Sequence, residues 1–107
     1  TLRGEGLGGR NQELALAFLQ EIAAADAAAA EGIVFLSAAT DGNDGPTDAA
    51  GAFDSADILE QARSQELSIP GHLGKNDSYH FYQAAGGLLK TGPTNTNVCD
   101  LQICLIR

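Results

Sequence analysis

The stretch GEGLGGRNQELALAFLQEI, residues 4–22, decides how the fold begins, because it joins a glycine-rich turn to an amphipathic segment. Apolar side chains recur there at the three- and four-residue spacing of one helix face: Leu14, Ala17, Phe18, Ile22 and Ala25. The alanine-rich run that follows predicts a helix over residues 10–30, with Gly32 as its stop. Arg10 then lies at the start of this helix.

The glycine-rich turn matches the G-x-G-x-x-G spacing of dinucleotide-binding loops at Gly4, Gly6 and Gly9. Such a loop follows a strand and is followed about 20 residues later by an acidic residue that binds the ribose. Here only three residues precede Gly4, and Asp26 lies inside the predicted helix. Arg10 adds a bidentate anion ligand to the helix dipole, which favours a phosphate or carboxylate site. A nicotinamide cofactor and a plain glycine turn are the alternatives.

Composition and charge limit the classes of partner. The chain has 107 residues, enough for one domain, and its formal net charge is −8. Nucleic acid is excluded as an expected partner, because binding a polyphosphate backbone requires the opposite charge. No apolar run is long enough to span a membrane. The chain begins at Thr1 rather than Met, and we expect it to be a fragment of a longer protein.

The two cysteines, Cys99 and Cys104, are expected to stay unpaired. On one strand they would lie roughly 17 Å apart and on opposite faces, too far for a disulfide. Two free thiols are typical of a reducing compartment. We therefore expect a cytoplasmic location, with the mitochondrion as the alternative.

The remaining elements predict an α/β fold. The run IVFLS, residues 33–37, is typical of a strand buried on both faces of a parallel sheet. Further helices are predicted over residues 55–65 and 76–87, a polar connection between them, and strands over residues 88–91 and 98–107. The last two strands are expected to form a closing β-hairpin. The predicted architecture is a layered domain whose mixed, partly parallel sheet is flanked by about three helices.

Three polar loops carry the candidate chemistry, over residues 4–11, 40–48 and 91–97. Ligands of open α/β sheets bind beyond the carboxyl ends of strands, so these loops are expected to converge there. The middle loop holds Asp41, Asp44, Thr47 and Asp48. Its side chains suit Mg²⁺ binding, orientation of a polyol substrate, or bracing of the loop by Asx-turns, and spacing does not choose among these.

Four segments, GGRNQELAL, TDGNDGPTDAAGA, DSYHFYQAAGGLL and TGPTNTNVCDL, resemble in order and spacing the MOFRL domain. That domain is the C-terminal domain of the glycerate kinases that form 2-phosphoglycerate. The resemblance covers nearly the whole chain. It implies that residues 1–107 are a single MOFRL-like domain, the C-terminal part of a two-domain enzyme.

The resemblance also implies a function. D-glycerate and ATP with Mg²⁺ are expected to meet in a cleft between this domain and a missing N-terminal domain, where the ATP γ-phosphoryl group is transferred. Arg10 is the expected catalytic cation. The other expected site residues form three groups: donors at Gly8, Gly9 and Asn11; loop residues Asp41, Asp44, Thr47 and Asp48; and a rim of Thr94, Asn95 and Asn97. Asp41 and Asp44 are also the candidate Mg²⁺ ligands.

The fragment is expected to fold alone but not to catalyse alone, because any catalytic lysine would lie in the missing domain. Two other functions are retained as alternatives. One is an NAD(P)H-dependent hydroxypyruvate reductase, a label that members of this family have also carried. The other is a non-catalytic binding or assembly module. No membrane partner is expected.

Overall fold

The computed structural model describes residues 8–25, 31–40, 42–45, 47–92 and 100–106. These residues form four helices and four strands. In chain order they are α1 (Arg10–Ala24), β1 (Ile33–Ala39), β2 (Gly51–Asp54), α2 (Ala56–Ser64), α3 (Ile69–Gly74), α4 (Ser78–Ala85), β3 (Leu88–Leu89) and β4 (Asp100–Ile106). The predicted α/β class is confirmed. No helix in the described ranges has the length and apolar character that a membrane crossing requires.

The sheet is antiparallel throughout, with the strand order β3-β2-β1-β4. β1 pairs with both β2 and β4, and β2 pairs with β3. The predicted partly parallel sheet is therefore wrong. A continuous apolar run such as IVFLS also arises in a central antiparallel strand when its neighbouring side chains on both faces are apolar, as they are for Ile33 and Phe35 on one face and Val34 and Leu36 on the other.

The predicted closing hairpin is also wrong, because β3 and β4 lie at opposite edges of the sheet. β3 pairs instead with β2, a strand of four residues in a stretch where the sequence analysis predicts no strand. Gly51 occupies this strand because its backbone lies against Ser37, where a Cβ would come within 1.9 Å of the carbonyl oxygen. A short strand containing glycine gives little periodic signal.

The helices agree with local signals except at two places. Ser55 caps α2 through a 3.4 Å bond from the Ile58 N–H, and Gly86 ends α4 in a left-handed conformation (φ 97°), near the ends of the helices predicted over residues 55–65 and 76–87. α1 ends at Ala24, before the predicted stop, and residues 26–30 lie outside the described ranges. The predicted polar connection contains α3, in which Ser68 caps the helix and Pro70 occupies the first turn.

The helices cover one face of the sheet. Phe18 of α1 stacks on Phe35 of β1, with ring centroids 4.3 Å apart. Tyr82 of α4 reaches Asp54, which lies opposite Phe35 in the β1–β2 register and so shares its face. The core between helices and sheet consists mainly of aliphatic and aromatic side chains: Ala15, Leu16, Leu19, Ile22, Phe35, Ala52, Ile58, Leu59, Ala62, Ile69, Phe81, Tyr82 and Ala85.

The buried stripe of α1 differs from the predicted one. It runs through Ala15, Leu16, Leu19 and Ile22 and begins with two polar residues, Asn11 and Gln12. The predicted stripe included Leu14 and Ala17, and both are exposed. The first turn of α1 therefore buries amide side chains, which need hydrogen-bond partners within the protein.

Candidate functional site

The described residues of the three polar loops pack together where β1 ends and β4 begins. We call residues 8–11, 42–45, 47–48 and 91–92 the loop cluster. A Cβ at Gly9 would lie 2.3 Å from Asp44, so the glycine permits a backbone approach that no other residue allows. Gly42 (φ 89°) lies against Gly92 in the same way, since its Cβ would lie 2.1 Å from the Gly92 carbonyl oxygen. The expected convergence is observed for the described parts of these loops.

Asp44 caps α1 from the middle loop. The N-cap residue Gly9 has no side chain, and the Asp44 carboxylate takes its place. It accepts hydrogen bonds from the backbone N–H groups of Asn11 (2.9 Å) and Gln12 (2.8 Å) and a 3.3 Å bond from the Asn11 side-chain amide. The side chain is 2% exposed. A buried carboxylate at a helix N-terminus satisfies donors that the helix itself leaves unpaired.

Asn11 links this cap to the sheet. Its Oδ1 accepts a 2.6 Å hydrogen bond from the Ser37 hydroxyl of β1. Gln102 of β4 donates weaker 3.4 Å bonds to Asn11 Oδ1 and to Ser37 Oγ. One buried amide therefore connects the middle loop, β1 and β4. Asn11 is a structural element of this cluster as well as an expected ligand.

Gln12 and Thr47 brace the middle loop. The Gln12 side-chain amide donates to Thr47 Oγ1 at 2.9 Å. The Thr47 hydroxyl in turn donates to the Asp44 carbonyl at 2.8 Å, and the Asp44 N–H donates to the Ala49 carbonyl at 2.8 Å. Thr47 is buried. In the observed arrangement, Thr47 holds the loop that presents Asp44 to α1.

Arg10 extends from the first turn of α1 into solvent. Its side chain is 79% exposed, and its Nε lies 2.5 Å from Oδ2 of Asp100, the first residue of β4. The hydrogen bond from Arg10 lowers the pKa of the Asp100 carboxyl, so the pair stays ionised at neutral pH. Asp100 fixes the position of a guanidinium that solvent and ligands can reach.

A second charged group lies at the rim of the loop cluster. Tyr79 of α4 donates a 2.7 Å hydrogen bond to Asp48, and Lys90 Nζ lies 3.3 Å from the other Asp48 oxygen. The hydrogen bond from Tyr79 is the main cause that lowers the pKa of Asp48, and the bond to Asp48 raises that of Lys90. Lys90, which the sequence motifs leave outside the site, therefore lies at its edge.

Four expected site residues lie outside the described residues: Asp41, Thr94, Asn95 and Asn97. Among the described residues, no group of three or more His, Cys, Asp or Glu side chains is placed to hold a metal ion. Asp44 does not fit a Mg²⁺ ligand in this arrangement, because its buried carboxylate already accepts three N–H bonds. Its observed role is that of the helix cap.

Glu13 makes a second long-range cap. Its Oε2 accepts a 3.1 Å hydrogen bond from the backbone N–H of Ser78 at the start of α4, where the N-cap residue Asp77 makes no side-chain capping bond. Gly8 lies against the same place, since its Cβ would be 2.2 Å from the Ser78 hydroxyl. The turn before α1 is therefore also the contact between α1 and α4.

Asp54 is a buried carboxyl at the end of β2, on the face of the sheet that the helices cover. Its Oδ1 accepts a hydrogen bond from the Tyr82 hydroxyl, while its Oδ2 has no hydrogen-bond partner among the described residues. Burial raises the pKa of Asp54 to about 7, against the lowering effect of the Tyr82 bond. The carboxyl is therefore largely protonated below neutral pH.

The pKa of Asp54 predicts that the protein loses stability as pH rises. The pKa of an Asp carboxyl in an unfolded chain is about 3.9. Between that pH and about 7, the unfolded state has therefore lost a proton that the folded state keeps. We expect the free energy of unfolding to fall by about 2 kcal/mol between pH 5 and pH 7. Urea unfolding at each pH measures this. In Asp54→Asn, which cannot titrate, most of the fall should be absent, and an equal fall in both proteins would contradict the assignment.

Sequence patterns missed several residues that build the site. Ser37, Gln102 and Asp100 come from strands, and no local motif marks them as parts of a site. Gln12 was detectable, because extending the Leu16–Leu19 stripe back by one turn places it on the buried side of α1. A polar residue at a buried helical position predicts a buried hydrogen-bond network.

Several known proteins are similar to this chain in both sequence and fold. D-glycerate 2-kinase from Thermotoga maritima is 46% identical over 98% of the chain, and human glycerate kinase is 43% identical over 99%. A crystal structure of glycerate kinase from Thermotoga maritima superimposes with a TM-score of 0.83 at 44% identity over 99% of this chain. The chain covers 24% of both Thermotoga maritima proteins and 21% of the human protein, so it spans about a quarter of their length.

Comparison with the sequence patterns of protein families gives an independent result over nearly the whole chain. The MOFRL family matches residues 1–100, which include the three polar loops and the start of β4. The match is consistent with the observed packing, because the cap of α1 joins the two loops that the family pattern carries. The chain belongs to the MOFRL family.

Proposed function

We propose that the full-length protein containing this chain is a glycerate kinase that transfers the γ-phosphoryl group of ATP to D-glycerate and forms 2-phosphoglycerate. Relatives named as glycerate kinases match nearly the whole chain, which supports this reaction. In this proposal the loop cluster is one wall of a cleft, and a preceding domain forms the other. The isolated chain then binds only part of the substrates and is inactive.

The observation that carries the proposal is the exposed Arg10 guanidinium, held by Asp100 beside the loop cluster. Phosphoryl transfer depends on positioning and on neutralising charge at the transferred group, and a fixed guanidinium supplies both. The chain is strongly acidic, with six basic residues against 14 acidic ones. A cation beside the loop cluster is therefore a specific feature rather than part of a general basic surface.

The α1 N-terminus has a different role from the expected one. The backbone N–H groups of Asn11 and Gln12 already donate to Asp44. A phosphate on this side of the cleft would therefore meet the Arg10 side chain rather than those two backbone donors. The same contacts oppose a pyrophosphate cradle, so the dinucleotide spacing of the glycines gives no support to a reductase.

Mg²⁺ enters this proposal as part of the ATP substrate. When bound to the nucleotide it neutralises the phosphate charge. The chain contributes Arg10 as a positioned cation. Asp48 and Lys90, both partly exposed at the rim, are the described groups placed to contact a polar substrate.

The proposal is tested by product identification with the full-length protein. Incubation with ATP, Mg²⁺ and D-glycerate is expected to give ADP and 2-phosphoglycerate, which ³¹P NMR distinguishes from the 3-phosphate. Absence of glycerate-dependent ADP, or formation of the 3-phosphate alone, would contradict it. A parallel assay with hydroxypyruvate and NAD(P)H tests the reductase, and rapid oxidation of the cofactor would replace the kinase assignment.

A further inference from the structure

The sheet face opposite α1 is apolar. By the register of β1 and β4, six side chains share this face as three cross-strand pairs: Val34 with Leu105, Leu36 with Ile103, and Ala38 with Leu101. We call these six residues the outer face. It contains no charged or polar side chain. An antiparallel sheet with one solvated face normally carries polar residues on that side.

The β4 half of the outer face is open to solvent in the chain as described. Leu101, Ile103 and Leu105 are 46%, 43% and 58% exposed. β4 is also an edge strand, and apart from Asp100 at its start it contains no charged residue and no proline. Natural edge strands are normally protected by such residues, so β4 has the properties of a strand that another element covers.

We propose that the outer face is the surface on which the preceding, larger part of the full-length polypeptide packs. The chain spans only about a quarter of the length of its relatives. In each relative, the segment that matches this chain is therefore joined to a much larger polypeptide. Arg10 contacts Asp100, which places the start of α1 beside the start of β4. That contact places the loop cluster, the proposed wall of the cleft, next to the strand that carries the exposed residues.

Tethering favours this occupant over a second copy of the chain. A covalently joined segment acts at millimolar effective concentration. The exposed part of the outer face is only three side chains on one strand, whereas a stable interface between separate proteins involves about 20 to 30 residues a side. A small apolar patch is therefore better suited to packing within one polypeptide.

The test measures thiol accessibility in the full-length protein. Leu101→Cys and Leu14→Cys are compared in a background whose native cysteines are replaced by alanine. Leu14 is the matched control, because it is also a leucine with 46% exposure but lies on α1. If the preceding polypeptide covers the outer face, maleimide should label Leu101→Cys at least about 100-fold more slowly than Leu14→Cys, since labelling then requires local opening.

Equal labelling rates would overturn the proposal. Protection of Leu101→Cys that disappears on dilution, together with a dimer in light scattering, would assign the surface to a second copy and would also overturn it. Hydrogen exchange of residues 100–106 in the unmodified protein gives a second measurement if a variant folds poorly, and rapid exchange there would count against the proposal. This inference goes beyond the proposed function, and its readout does not depend on kinase activity.

Discussion

Replacing Asp44 by alanine is expected to lower the free energy of unfolding by about 3 to 5 kcal/mol, a large part of the stability of one domain. The substitution removes three hydrogen bonds and leaves the N–H groups of Asn11 and Gln12 without their acceptor in a buried place. Hydrogen bonds to charged groups contribute more than neutral ones, and an unpaired buried donor adds its own cost. Urea unfolding followed by circular dichroism measures the loss.

Asp48→Ala is the matched control, because Asp48 lies in the same loop but is exposed. Its pairing with Lys90 is exposed and contributes little, and its one hydrogen bond from Tyr79 is only partly buried. We expect a much smaller loss for Asp48→Ala. Asp44→Asn should lose less stability than Asp44→Ala, because its amide oxygen can still accept one of the two backbone bonds while its NH₂ group faces the other donor. Equal stability of the two alanine variants would contradict the role of Asp44 as the cap.

Elements with complete local signals could be predicted from the sequence. Ser55 and the Ile58–Leu59 stripe fix α2, and Gly86 fixes the end of α4, because a cap and a helical period act within a few residues. Strand pairing was not predictable in the same way. The choice of β2 rather than β4 as the partner of β3 depends on contacts between distant parts of the chain, which no local pattern encodes.

The site was predictable in its residue types but not in their roles. Asp44 and Asn11 stood out as polar residues in glycine-rich loops, yet they are separated by 33 residues and their hydrogen bond follows only from the fold. The glycine spacing by itself predicts ligand-binding positions. Gly9 instead allows the backbone to approach Asp44, a packing role that the spacing alone does not distinguish.

The Arg10→Ala variant of the full-length protein is expected to lower kcat for glycerate phosphorylation by about 100-fold with little change in stability. That factor corresponds to about 2.7 kcal/mol of transition-state stabilisation. The side chain is 79% exposed, so its removal leaves no buried cavity, and a loss of activity would not arise from unfolding. A coupled assay for ADP measures the rate, and thermal unfolding checks the fold.

Arg63→Ala is the matched control, because Arg63 is an exposed arginine in the last turn of α2, outside the loop cluster. It should leave kcat unchanged. Arg10→Lys should fall between the wild type and Arg10→Ala, since lysine keeps the charge but loses the planar fork. A folded Arg10→Ala protein with a near-normal kcat would show that Arg10 does not act on the transferred phosphate.

In the proposed function, Asp100 is a positioning residue for Arg10. Its variants test whether Asp100 affects the reaction only by holding the Arg10 guanidinium in place. Asp100→Asn keeps the size of the side chain but removes the ion pair that holds Arg10 Nε at 2.5 Å. We expect a smaller loss of kcat than in Arg10→Ala. In the double variant Asp100→Asn with Arg10→Ala, kcat should fall no further than in Arg10→Ala alone, because residues that act through one contact are not additive. An additive loss would mean that Asp100 acts on the reaction independently of Arg10.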